Sequence, residues 1–219
     1  MTAVLSWSSG KDCAWALHLC RRDGLADVRA LLTTVNTEAD RVAMHGTRRA
    51  LLEAQAEAVG LPLIVVDLPW PCSNADYERI MGAATARLVA EGFDTIVFGD
   101  LFLEDIRAYR EAQLAGSGLT PLFPLFPADT PALAAEMMQA GVRARIVTCD
   151  GAKLDAAFAG RDWDAALLAE LPEGIDPCGE NGEFHTVVTD GPAFAHPLNV
   201  ATGETVTRDG YHYADLTLA

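Results

Sequence analysis

Apolar residues fall in short unbroken runs separated by stretches of mixed polarity. "AVLSW" (3–7), "VRALLTTV" (28–35), "LPLIVVDL" (61–68) and "DTIVFGD" (94–100) are runs of strand length. Continuous apolar runs, without polar alternation, suit strands covered on both faces. Between them the period changes. Residues 11–22 place Cys13, Leu17 and Cys20 on one helical face and stop at Gly24. Residues 47–60 form a second helix ending at Gly60, and 76–91 a third ending near Gly92. Strands separated by helices imply right-handed crossovers and a parallel sheet. The first half therefore reads as a doubly wound α/β unit.

The pattern shifts after residue 116. "GSGLTPLFPLFPADTP" (116–131) holds four prolines and two glycines in sixteen residues and reads as a linker or domain edge. "TPALAAEMMQAG" follows as a helix, with Pro131 in its first turn. "VRARIVTC" (142–149) reads as a strand and 152–171 as mostly helix. "EFHTVVTD" and "ETVTRDGYHYADLTLA" alternate and contain an Asp-Gly turn, which suits antiparallel strands. The expected division is a nucleotide-binding α/β domain over 1–127 and a smaller α+β domain over 128–219.

Composition narrows the function classes. Half of the 219 residues are apolar, ample for a core. The net charge of −15 argues against broad nucleic-acid binding, which needs a basic footprint. The five cysteines form no CxxC pair, so a zinc ribbon is not expected and a reducing, cytoplasmic setting is. No apolar run reaches membrane-spanning length, and no leader segment precedes the first strand.

Chemistry concentrates where the first strand meets the first helix, at "SSGKDC" (8–13). The free N–H groups of a first helical turn, with the helix dipole behind them, favour an anion. Small residues let the backbone approach phosphate oxygens, and Lys11 would add a mobile positive charge. Asp12 beside phosphates is useful if it holds a cation such as Mg²⁺. The loop is not a Walker A motif, because Leu5 stands at the first glycine position and Asp12 follows the lysine. The bland alternative is a serine-capped helix with two solvated charges.

"SSGKDC" resembles the SGGKDS loop of the PP-loop ATP pyrophosphatases, within the adenine-nucleotide α-hydrolase superfamily. "LLTTVNTEADRVAMHGTR" (31–48), "FGDLFLEDIRAYRE" (98–111), "GLTPLFPLF" (118–126), "AAEMMQAGVRARIVTCD" (134–150) and "DPCGENGEFHTVVTDGPAF" (176–194) extend the likeness in order. Together they resemble the diphthine–ammonia ligase family. That resemblance implies a PP-loop, Rossmann-like domain followed by a smaller family-specific one. It implies ATP cleavage to AMP and pyrophosphate with Mg²⁺, adenylation of a carboxylate and displacement of AMP by ammonia. The acceptor would be a carboxylate of unknown identity, such as a modified protein side chain.

Carried over by position, Ser8, Ser9, Gly10, Lys11, Asp12 and Cys13 would form the pyrophosphate loop, with Asp12 on the metal. Asn36 and the segment Met44–His45–Gly46 would lie near the nucleoside, and Gly99 and Asp100 at the end of the fourth strand. Arg107 would reach the substrate carboxylate or the α-phosphate, unless it belongs to an exposed helical salt-bridge network. Glu180 and Glu183, in "CGENGEFHT", would form one acidic patch for ammonium. Ser9 and Cys13 depart from the family loop, where glycine and serine stand, and Asn181 replaces a glycine of the Glu-Gly-Gly-Glu element. Ser9 fits there if its φ is negative. His45 reads equally as a loop residue or a ligand. His185 reads equally as a core histidine or as a residue orienting a glutamate, and Cys178 as a buried structural thiol. Two other readings remain open: a nucleotide-binding sensor and a tRNA-thiolation-type ATP pyrophosphatase. The apolar tail and proline-rich segment could serve a homodimer.

Overall fold

The computed structural model describes residues 1–42 and 45–219. Met44, one of the residues expected near the nucleoside, lies outside the described residues. The first half is a parallel sheet built from β1 (Thr2–Ser6), β2 (Asp27–Asn36), β4 (Leu63–Leu68), β5 (Thr95–Val97) and β6 (Thr120–Leu122), with the short β3 (Arg41–Val42) antiparallel on the end of β2. The strand order is β4-β2-β1-β5-β6. From β1 the chain winds outward to one side, then crosses back to β5. The reversal leaves a crevice beyond the carboxyl ends of β1 and β5, where doubly wound sheets bind ligands.

The helices follow from local rules. α1 (Lys11–Asp23) buries Cys13, Ala14, Leu17 and Cys20 and stops at Gly24, whose left-handed backbone N–H bonds the Cys20 carbonyl. α2 (Arg49–Val59) closes in the same way at Gly60. α3 (Asn74–Ala90) starts on Ser73, whose side chain accepts from Asp76 N–H. α4 (Glu104–Leu114) buries none of its residues. α5 (Thr130–Gln139) starts on Asp129 with a proline in its first turn.

A second, four-stranded sheet is antiparallel. Its strands are β7 (Arg143–Asp150), β8 (Phe184–Asp190), β9 (Val200–Arg208) and β10 (Tyr211–Leu218), in the order β8-β7-β10-β9. The Asp-Gly pair closes the β9–β10 hairpin with both residues at positive φ, Asp209 at 51° and Gly210 at 83°. One cluster of buried side chains joins the two sheets, running from Leu5, Trp7 and Leu17 to Ile146, Phe184 and Val188.

Two expectations are corrected. The proline-rich segment contains β6, the strand that extends the parallel sheet beyond β5. At a sheet edge Pro121 can occupy a strand, because its missing N–H faces no neighbour. Residues 152–171 are mostly irregular, with one 3₁₀ turn (Ala156–Phe158) and the short α6 (Ala165–Glu170). Asp155 and Asp164 each cap a new turn, which divides the stretch.

Candidate active site

Between β1 and α1 the backbone makes a tight turn at Ser9, whose φ is +76°. The negative φ expected there is not found. A serine in left-handed backbone costs roughly 1–2 kcal/mol. Its surroundings hold it in place. Ser9 is fully buried, and its hydroxyl pairs with Thr47 Oγ1 at 2.8 Å. Its carbonyl accepts from Gln55 Nε2 at 3.0 Å and from the Val188 N–H at 2.8 Å. Gln55 also donates to the Val188 carbonyl at 2.7 Å and accepts from the Trp7 indole at 2.9 Å. One buried amide thus ties β1, the loop and β8 together.

The same strand occupies part of the helix start. Lys11 N–H donates to Thr186 Oγ1 at 3.2 Å, so not all of the first-turn donors are free. Gly99, after β5, lies against the loop from the other side. A Cβ there would stand 2.9 Å from the Asp12 carbonyl carbon and the Cys13 nitrogen, so only glycine permits this approach.

Lys11 is not a mobile charge. It is 1% exposed. Its ammonium contacts Asp12 Oδ2 at 3.0 Å, donates to the Cys178 carbonyl at 2.5 Å, and lies over the rings of Trp163 and Phe184. Burial pulls its pKa down, but Asp12 and the charges around Cys178 and Glu180 pull harder and leave it raised. Burial raises the Asp12 pKa against the pull of Lys11.

A cavity of about 210 Å³ opens over this pair, lined by both sheets. At roughly 30 Å³ per water it holds about seven waters, room for a group of several heavy atoms. Ser8, Gly10, Lys11, Asp12 and Cys13 line it, joined by His45, Gly99, Asp100 and Glu180. Ser9, Asn36, Arg107 and Glu183 do not. Asn36 Oδ1 accepts from the N–H groups of Glu38 and Ala39, closing its own turn. Arg107 pairs with Glu111 one helical turn on and lies over Phe123 and Phe126. Arg110 lines the cavity instead, paired with Asp100 at 2.5 Å and stacked 4.3 Å from Phe98.

The two glutamates do not form one patch. Glu183 is 2% exposed and turned into its own loop, where Oε1 accepts from Asp176 N–H and Asn181 Nδ2. Glu180 faces the cavity, with Oε1 accepting from Leu101 N–H at 2.7 Å. Burial pushes the Glu180 pKa up to about 7, with the nearby acids Asp12 and Asp100 adding to the rise and the Leu101 and Phe102 N–H groups opposing it. The odd spacing explains the split: in a turn, residues three apart need not share a face.

The two histidines left open at the sequence level meet. The rings of His45 and His185 stack with centroids 4.2 Å apart, both on the cavity wall. Burial lowers both pKa values, to about 4 at His185 and well below normal at His45, and the Lys11 charge adds to each. Both imidazoles are therefore neutral. Cys13 hydrogen-bonds the Gly10 carbonyl at 3.0 Å, and burial pushes its thiol up to about 11, so it braces the loop as a thiol. Cys178 is likewise buried, its thiol pushed up to about 12 by burial.

Residues 1–120 match the family model described as the diphthamide synthase N-terminal domain, and residues 129–216 the diphthamide synthase C-terminal domain. The chain belongs to the diphthamide synthase family. It is similar to a protein named diphthine–ammonia ligase from Danio rerio, 26% identical over 219 residues, covering 91% of this chain and 86% of the relative. A protein of the same name from Bos taurus is 25% identical, covering 94% of this chain and 85% of the relative. Both walls of the cavity lie inside the segments matched to the diphthamide synthase models. No helix among the described residues is long and apolar enough to cross a membrane.

Sequence reasoning missed three contributors. Gln55 carried a signal, a lone polar residue on the apolar face of a helix. Thr186 and Arg110 carried none, since only the tertiary fold brings β8 to α1 and selects Arg110 over its helical neighbour Arg107.

Proposed function

We propose that the protein is an ATP-dependent amide-forming ligase that acts on diphthine or a closely similar carboxylate; its relatives are named diphthine–ammonia ligase. The observation that carries this reading is Asp12 Oδ1. It is buried, faces the phosphate-sized cavity beside a helix N-terminus, and has no hydrogen-bond partner among the described residues. An orphaned buried carboxylate oxygen is costly unless something occupies it. A Mg²⁺ ion bound to ATP would complete it. No cluster of three or more His, Cys, Asp or Glu side chains suited to a metal exists among the described residues. That fits magnesium, which takes one or two carboxylates and fills its shell with water and phosphate. When bound, the ion would neutralise phosphate charge.

The proposed roles follow the geometry. Ser8, Gly10 and the remaining first-turn N–H groups of α1 would hold the polyphosphate, aided by the helix dipole. Lys11 acts from below, where its fixed charge stabilises negative charge on the α-phosphate and leaving pyrophosphate without reorganising. Arg110 would meet the acceptor carboxylate once that ligand competes with Asp100. The carboxylate oxygen attacks the α-phosphorus, pyrophosphate leaves, and ammonia then displaces AMP from the acyl carbon. Most of the rate would come from positioning and charge placement. The proposed domains, 1–127 and 128–219, would then divide the work, with the first holding nucleotide and the second closing the site through β8 and residues 176–183.

The test is direct. Purified protein is incubated with ATP, Mg²⁺, ammonium and a diphthine-bearing acceptor, and the products are separated. AMP, pyrophosphate and the amide are expected in equal amounts. ADP, or tight ATP binding with no product, would overturn the ligase reading.

A further inference from the structure

The stacked histidines carry more than a structural role. His45 Nδ1 is buried and has no hydrogen-bond partner among the described residues, yet its ring lines the cavity. Its carbonyl is fixed by Thr148 Oγ1 at 2.8 Å, and its ring face by His185. The imidazole is thus held in orientation with one buried nitrogen unpartnered. With the ring proton on Nε2, Nδ1 would accept from a small donor.

The charges around it select which donor. Lys11, Asp12, Asp100, Arg110 and Glu180 share the cavity, and the two bases are each paired to an acid. Burial, with the Lys11 charge adding to it, disfavours positive charge at the histidine pair. The same burial would disfavour an ammonium ion against the histidine pair. Neutral ammonia, by contrast, can donate to a neutral imidazole at no Coulombic cost.

Resting on the ligase reading, we propose that His45 Nδ1 is the ammonia-binding atom of this site. Ammonia donates one N–H to Nδ1 and keeps its lone pair for the acyl carbon. The C–N bond forms, the bond from that carbon to the AMP oxygen breaks, and AMP leaves with the electron pair. The surplus proton on nitrogen leaves to solvent. The product is a neutral amide.

The variant His45→Phe keeps a ring to stack on His185 and removes the nitrogen. With ATP, Mg²⁺, a diphthine-bearing acceptor and ammonium chloride, kcat/KM for ammonium is expected to fall on the order of 10-fold, the usual size of one lost hydrogen bond. Acceptor-dependent ATP–pyrophosphate exchange, which needs no ammonia, is expected to lose far less. Equal losses in both assays would overturn the proposal and place His45 on the nucleotide. An unchanged kcat/KM for ammonium would also overturn it. Absence of exchange in the unsubstituted protein would instead overturn the ligase reading on which it rests.

Discussion

The Cys178 carbonyl accepts a hydrogen bond from the Lys11 ammonium at 2.5 Å, tying the loop after β1 to the turn before β8. Lys11 is therefore part of the core as well as of the site. Its truncation would leave Asp12, whose side chain is 26% exposed, without its partner. Lys11→Met is expected to destabilise the fold by about 2–3 kcal/mol, less than a fully buried ion pair because water still reaches Asp12. Lys11→Met with Asp12→Leu should recover most of that loss, because no charge is then left alone. Urea unfolding of the two single variants and the double variant measures the coupling. A loss in the double variant equal to the sum of the singles would exclude it.

Ser9 sets two effects against each other. Its φ of +76° strains a serine, while its hydroxyl pairs with Thr47 at 2.8 Å. Ser9→Ala loses the hydrogen bond and keeps the strain. Ser9→Gly loses the same bond and relieves the strain. The glycine variant should therefore be the more stable of the two by about 1 kcal/mol, the usual penalty of a Cβ in left-handed backbone. Thermal unfolding of the pair checks the order. Equal midpoints would mean that the loop relaxes to another backbone conformation.

These two residues also mark what the sequence could reveal. The parallel sheet was legible because its strands are unbroken apolar runs and its helices end at Gly24 and Gly60, both left-handed caps. The loop "SSGKDC" was legible as a strand-to-helix turn because strand, small residues and helix start are local features. What β8 does there was not. Thr186 and Val188 reach the loop from more than 170 residues away, and no local pattern encodes that approach. Arg107 and Arg110 lie three apart on one helix, so spacing alone cannot choose between them. The choice rests on Asp100, which Arg110 can reach.

Glu180 makes stability depend on pH. Its pKa rises from an ordinary 4.5 to about 7 on folding, mainly through burial. A raised acid binds more protons in the native state than in the unfolded state between those two values. Stability is therefore expected to fall as pH rises from about 4.5 to 7, and to level off above. Glu180→Gln should flatten this slope and be relatively more stable at pH 8 than at pH 5. Chemical denaturation across this range checks it. A slope unchanged in the variant would assign the titration to another group.

Asp215 should act in the opposite direction, and its consequence should reach the site. It receives Arg48 through two hydrogen bonds, at 2.8 and 2.6 Å, and Arg41 at 2.8 Å. Arg41 in turn holds the Gly46 carbonyl at 2.8 Å, next to His45. The Arg48 hydrogen bonds, with help from Arg41, lower the Asp215 pKa to about 2. A depressed acid stabilises the fold above its unfolded value of 3.8, and that contribution is lost as pH falls toward 2. Asp215→Asn removes the charge and should reduce the acid sensitivity of the fold. It should also loosen the loop that carries His45, raising KM for ammonium more than KM for ATP while leaving the parallel sheet intact. Steady-state kinetics with each substrate varied in turn reads this difference. Equal rises for ATP and ammonium would show that the Asp215 network supports the site as a whole and not the His45 loop in particular.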